Sequence, residues 1–372
     1  MLWNKGISAL GTLGGNQSVA NAINDHGQVV GAALNAIPDP LANAFSIPYL
    51  FVPAATQVHA FLWTEAEGMQ DLGTLGGPDS TAAFVNQHGQ IAGQSYTNAT
   101  INPATSTPTQ DPFFWEDGKM LDIGTLGGTF GFSNGMNNRG KVIGQSNVAG
   151  DQTYHAFLWD KKEGLKDLGI LPGYPFSQAD WINGAGEIVG DSFAGTANSA
   201  VASRAFLWKE GVMTDLGTVA DDACSEARSI NSRGQVVGFG SADCNHEDHA
   251  FLWENGGPII DLSTLISSGA AVTLIEAIFI NDRGEIAAIG KLANGDEHAI
   301  ALFPCDEDHA DVEGCDYGLV ESATPDEAHT TQTTKAPEAA ASPSKLSATE
   351  MMTRVRPMGS RRNLNFQASQ QQ

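Results

Sequence analysis

The first candidate for chemistry is the stretch Asp71-Leu-Gly-Thr-Leu-Gly-Gly77, three glycines in seven residues behind an acid. Glycine-rich loops of this kind can cradle a phosphate, but a P-loop also needs a Lys-Ser/Thr pair and a following helix. This stretch has no lysine, and a strand pattern follows it. The second candidate is the acidic run at 304–316, PCDEDHADVEGCD. Calcium takes six to eight oxygens from such loops, and Asp306, Asp308 and Asp311 would be its ligands. Their spacing departs from the EF-hand pattern, and zinc on Cys305, His309 and Cys315 would lack a fourth ligand. The expectation is therefore a solvated loop closed by a Cys305–Cys315 bond, with no cofactor and calcium as the one ion to consider.

Histidines recur at the head of one phrase, as His59, His155, His249 and His298, with Asp111 and Arg204 at the equivalent places. A metal site would not accept arginine, so these residues are expected to open strands and hydrogen-bond locally. Cys224 and Cys244 flank another hairpin. A turn centred near 232–233 puts Cys224 opposite residue 241, and a slightly looped strand brings Cys244 within reach of a disulfide. The sequence holds no Gly-x-Ser-x-Gly elbow and no His-Glu-x-x-His pair.

The elements that must position these residues are set by a repeat. An apolar-Asn-x-x-Gly phrase followed by two apolar residues occurs six times, with its asparagines at Asn24, Asn86, Asn137, Asn183, Asn231 and Asn281. It alternates with HAFLW-type phrases at 59, 111, 155, 204, 249 and 298, and with LGTLGG-type phrases beginning at 10, 72 and 123 that later degrade. Each segment is short, β-branched or aromatic, and bounded by turn residues, so each unit reads as four strands. Asn at the first and Gly at the fourth turn position suit a type I turn. The expected fold is all-β, a six-bladed β-propeller of four-stranded antiparallel blades over residues 1–320; a β-solenoid is the alternative. Ala20, Ala82, Ser133, Ala179, Ala227 and Ala277, four before each Asn, are all small, as crowding near a propeller axis requires. The sixth unit supplies only three strands and the chain opens with an unpaired GISALGTL, so the N-terminal strand is expected to close the last blade.

Together the phrases HAFLW, DLGTLGG and INxxGQVVG resemble the extracellular HAF-repeat family, over residues 2–303. The resemblance implies an exported protein, mostly bacterial, and no established activity. MLWNKGISAL looks like the interior of a unit, so Met1 is read as an internal start with an export signal upstream. The expected location is extracellular or the cell surface, with the cytoplasm as alternative.

The chain carries a formal charge of −24. Residues 1–320 hold 13 Lys/Arg against 38 Asp/Glu, a balance that repels nucleic acid and anionic membranes. No apolar run reaches the roughly 18 residues that a membrane span needs. Residues 321–372, rich in Ala, Pro, Ser, Thr and Gln, are expected to be disordered.

Unit length varies mainly in the connections between second and third strands, the long ones being 32–58 and 94–110. In a propeller these share one face with the glycine-rich turns. Variable loops on a rigid scaffold are where binding concentrates. Phe45, Tyr49, Phe51 and Tyr96 are the expected contact residues. The function expected is a monomeric binding or surface-interaction module for a glycan or protein; a propeller glycan hydrolase or lyase is the alternative.

Overall fold

The computed structural model describes residues 9–41, 55–103, 105–196, 199–220, 222–266 and 271–306. They form a succession of antiparallel sheets. The first comprises β1 (Gly14–Ile23), β2 (Val29–Pro38), β3 (Thr56–Thr64) and β4 (Gly68–Gly73). The second comprises β5 (Ser80–Val85), β6 (Ile91–Tyr96), β7 (Gln110–Glu116) and β8 (Lys119–Asp122), and the third β9 (Gly127–Met136), β10 (Val142–Val148), β11 (Tyr154–Asp160) and β12 (Gly164–Gly169). A single parallel pairing, Gln110 with Phe130, joins these two. The fourth holds β13 (Phe176–Ile182), β14 (Ile188–Thr196), β15 (Ser199–Lys209) and β16 (Val212–Asp215); the fifth, β17 (Cys224–Ile230), β18 (Val236–Ser241), β19 (His249–Trp253) and β20 (Ile260–Asp261). The sixth has three strands, β21 (Val272–Ile280), β22 (Ile286–Leu292) and β23 (Glu297–Leu302). One 3-10 turn, Leu262–Thr264, is the only helix among the described residues.

The repeated Asn-x-x-Gly makes the first hairpin of each sheet. In the first sheet the Gly27 amide donates to the Asn24 carbonyl at 3.0 Å, which is the expected turn. The Asn24 side-chain oxygen accepts from the amides of His26 and Gln28 at 3.1 and 3.0 Å. Gly27 sits at φ 73°, where a side chain would be strained.

A second repeated device is a bulge three residues before each Asn. One extra residue, Asn21, Ala83, Asn134, Asp180, Arg228 or Ile278, interrupts the pairing of first and second strands in all six sheets. Opposite the bulge the two backbones close up, and this explains a recurrent glycine. A Cβ on Gly31 would lie 1.9 Å from the Val19 carbonyl oxygen, and on Gly93 2.0 Å from that of Thr81.

Consecutive sheets stack face to face, and the core lies in the seams between them. Val30, Ala60 and Leu62 of the first sheet meet Ala82, Ile91 and Phe113 of the second. Ile143, Ala156 and Leu158 of the third meet Ala179, Ile188 and Phe206 of the fourth. The HAFLW strand serves two seams: Ala205 packs toward the fifth sheet while Phe206 packs toward the third. Trp159, at the end of this strand in the third sheet, lies 4.9 Å from Phe114 of the second. Trp159 thus packs between neighbouring sheets.

The all-β class and the four-stranded units stand as expected from the sequence. Among the described residues, no strand of the sixth sheet packs closely on the first, whereas each of the five consecutive pairs of sheets packs closely. Residues 1–8, which include the first three of the expected closing strand GISALGTL, and the tail 321–372 lie outside the described residues; Leu10 and Leu13 of that strand pack on Val29, Ala33 and Phe61 of the first sheet.

Candidate binding face

The repeated polar side chains are consumed by the scaffold. Five of the six turn asparagines also reach the next sheet: the Nδ2 atoms of Asn24, Asn86, Asn137, Asn183 and Asn231 donate to the carbonyls of Asn86, Asn137, Asn183, Asn231 and Asn281 at 2.9, 3.2, 3.0, 3.0 and 3.0 Å. A serine six residues before the Asn works at the other end of the seam. Ser80 Oγ accepts from the Ala60 amide at 2.9 Å and donates to the Gly73 carbonyl at 2.6 Å. Ser177 and Ser225 repeat both bonds. Sequence reasoning missed this serine, although Ser18, Ser80, Ser177 and Ser225 recur at one offset.

Three of the four histidines, His59, His155 and His249, hydrogen-bond as expected, and their partners are informative. His59 Nδ1 donates to Asp71 at 2.8 Å and His155 Nδ1 to Asp167 at 2.9 Å, so the HAF and DLG phrases clasp each other across β3–β4 and β11–β12. Burial opposes ionisation of Asp71, but hydrogen bonds from His59 and the Gly73 amide outweigh it and hold the carboxyl below its ordinary range. His249 takes Asp222 instead, at 2.9 Å.

Three places break the repeat with charge. The first lies where the long connections leave the first two sheets. Asp79 precedes β5, Asp39 follows β2, His59 lies near the start of β3 and Tyr96 ends β6. Asp79 is fully buried; its Oδ1 accepts from the Val58 amide at 2.9 Å, and its Oδ2 has no partner among the described residues. Burial pushes its carboxyl up to about 7; the Val58 amide and His59 oppose the rise and nearby Asp39 adds to it. The second place is Asp111, which stands where other units have histidine and faces Asp122. Burial and the second carboxyl push Asp111 up to about 7. The third is Arg228, aimed out of its strand by the bulge. Its Nε donates to Glu276 at 2.9 Å, a guanidinium nitrogen lies 3.6 Å from Glu226, and the group covers Phe239 at 4.8 Å. Burial disfavours its charge, but Glu226, Glu276 and Asp180 more than offset that.

The structure places the expected site residues as follows. Tyr96 is fully buried in the second sheet rather than displayed on a surface, its hydroxyl pushed up by burial and by Asp79 and Asp39. Phe45, Tyr49 and Phe51 lie outside the described residues, as do Asp308 and Asp311; Asp306 closes the described chain, half-buried. Among the described residues no three His, Cys, Asp or Glu side chains gather as a metal site. Cys224 pairs in register with Ser241 and is disulfide-bonded to Cys244, with Cα atoms 5.3 Å apart. Cys305 is disulfide-bonded; Cys315 lies outside the described residues. No helix among the described residues is long and apolar enough to cross a membrane.

No family model matches the chain, and no curated protein matches it. Among solved structures it is similar to the β-propeller domain of the Trilobed protease from Pyrococcus furiosus, at 10% identity over 77% of this chain and 80% of that one, with a TM-score of 0.43. It is also similar to the acylaminoacyl peptidase of Pyrococcus horikoshii, at 10% identity over 77% of this chain and 45% of that one, with a TM-score of 0.40. The tricorn protease matches at 11% identity over 65% of this chain and 24% of its own, with a TM-score of 0.33. Likeness at this level says nothing of what this chain binds or does.

Proposed function

We propose that the chain is an exported binding module on a six-bladed β-propeller whose last blade is closed by the N-terminal strand. Its ligand would meet the end of the sheets where the long connections leave. One observation carries the binding reading. The side chains that recur from unit to unit spend their hydrogen bonds on the scaffold, while the unmatched carboxyls of Asp39 and Asp79 cluster at the base of the connections that do not recur. The HAF-repeat resemblance and the Cys224–Cys244 bond support export, since disulfides persist in oxidising compartments. Glycans are the first ligand class to test. A glycan array should show binding that is lost when residues 42–54 are replaced by a short Gly-Ser turn, and a reducing-sugar assay on the same glycans should show no release. Binding unchanged by that replacement would overturn the assigned face.

The second reading, a glycan hydrolase or lyase, draws on Asp79 and Asp111. Both carboxyls are raised to about 7, and a carboxyl that stays protonated near neutral pH can serve as the general acid in glycoside cleavage. Sugar release abolished by Asp79→Asn or Asp111→Asn would establish it.

A further inference from the structure

The Asn-x-x-Gly turns form one continuous row, because Asn24, Asn86, Asn137, Asn183 and Asn231 each donate to the carbonyl of the next asparagine. The row lies at the end of the sheets opposite the long connections. The chain carries a formal charge of −24, yet cationic types recur along this row. Two residues after the asparagine stand His26, His88, Arg139, Arg233 and Arg283, all exposed, with Ala185 in the fourth turn. The Arg139 guanidinium has no partner among the described residues.

A second set of bonds runs along the tips of the turns. The amide just after the asparagine donates to a side-chain oxygen from the same position of the next turn. Asp25 donates to Gln87 Oε1 at 3.1 Å, Gln87 to Asn138 Oδ1 at 3.1 Å and Ser232 to Asp282 Oδ1 at 2.8 Å. The last of these acceptors is a carboxylate, and the Ser232 amide and hydroxyl hold it below its ordinary range.

The set lapses between the third and fourth sheets. The residue after Asn183 is Gly184, which has no side chain to offer, and the Asn138 amide has no acceptor among the described residues. A Cβ on Gly184 would meet nothing within 4 Å, so the acceptor's place is open space. The Gly184 amide is unclaimed as well, since Ser232 gives its hydroxyl to Asp282. Two exposed amides and a free guanidinium thus stand beside a gap that the sixth turn fills with a carboxylate. Backbone amides grouped in this way bind anions.

We propose that this gap binds a carboxylate of an acidic glycan, a chain of uronic acid residues. One carboxylate oxygen accepts from the Asn138 amide, as Asp282 Oδ1 accepts from Ser232, and the Arg139 guanidinium pairs with the same group. A glycan is favoured over an acidic peptide because the turn tips carry polar donors and no large apolar side chain to anchor a peptide. The site lies at the opposite end from the face assigned above and does not depend on it.

Calorimetric titration of the full chain with a galacturonate oligomer tests it, with the methyl ester of that oligomer as the neutral twin. The acid should bind at least about tenfold more tightly than the ester. The Asn138 and Gly184 amide resonances should shift as the acid is added. Gly184→Asp supplies the internal carboxylate that the sixth turn has, and it should weaken the acid at least about tenfold. Arg139→Gln should weaken it too, and Arg139→Lys less. Replacing residues 42–54 should leave uronate binding unchanged. A folded Gly184→Asp variant that binds like the parent would overturn the proposal. So would an ester or an oligoglutamate that binds as tightly as the acid, an absence of binding, or binding lost with residues 42–54, which would move the ligand to the other end.

Discussion

Asn24 and Asn86 are 62 residues apart in the chain, and the side-chain nitrogen of the first lies 2.9 Å from the carbonyl oxygen of the second. The same side chain caps its own turn through Oδ1. One residue type therefore builds the hairpin and joins it to the next sheet. Removing it mid-ladder should cost both functions.

Asn137 is the clearest place to measure this. Its Oδ1 accepts from the amides of Arg139 and Lys141, and its Nδ2 donates to Asn183. Asn137→Ala should lower unfolding free energy by about 2–3 kcal/mol, the cost of buried backbone groups left without partners. Asn137→Asp keeps the acceptor and loses the donor, so its cost should be smaller, about 1 kcal/mol. Urea melts of the two variants check the order.

Asp79 should make stability fall as pH rises. Its folded carboxyl is raised to about 7, above the value of 3.8 for an unperturbed group. Between those values the unfolded chain binds fewer protons than the folded one, so stability declines from about pH 4 to pH 7 and stays low above. Asp79→Asn removes that penalty and keeps an acceptor for Val58. It should raise stability by about 2 kcal/mol at pH 8 and change little at pH 4. Thermal melts at the two pH values decide; an equal effect at both would refute the assignment.

Asp111 offers a repair of the repeat. Asp111→His would replace two facing carboxyls with the His–Asp clasp of the first and third sheets. Asp111 is raised to about 7, so the repulsion it relieves is present above that pH and vanishes as the carboxyl protonates below it. The variant should melt higher than the parent at pH 8, and the gain should shrink by pH 5.

The Cys224–Cys244 bond closes a loop with a sequence separation of 20. Replacing the pair by Ala and Ser should cost about 3 kcal/mol, chiefly through a freer unfolded chain. Denaturant titration of the double variant measures it, and a loss under about 1 kcal/mol would show the reduced loop to be held by other contacts.

Much of this was legible in the residues. Cys224 was expected opposite residue 241, and it pairs with Ser241. The histidines were expected to hydrogen-bond at the start of their strands, and three do. Tyr96 shows the limit: its place in the long connection 94–110 suggested a displayed ring, yet it ends β6 and is fully buried. The serine at Ser80 and the clasp of His59 with Asp71 went unread because each acquires its meaning from a partner strand 12 or 20 residues away.

The sequence by itself determined the six units, their strands and the Asn-Gly hairpins, and it named the cysteine pair. These rest on turn chemistry and side-chain alternation, which act over a few residues, or on one hairpin's register. Tertiary structure alone decided what the repeated groups hold together and which carboxyls are stranded. A bulge turns a side chain toward the next sheet, and stacking removes Asp79 from water. Desolvation and cross-sheet bonds depend on which surfaces meet, and no local pattern states that.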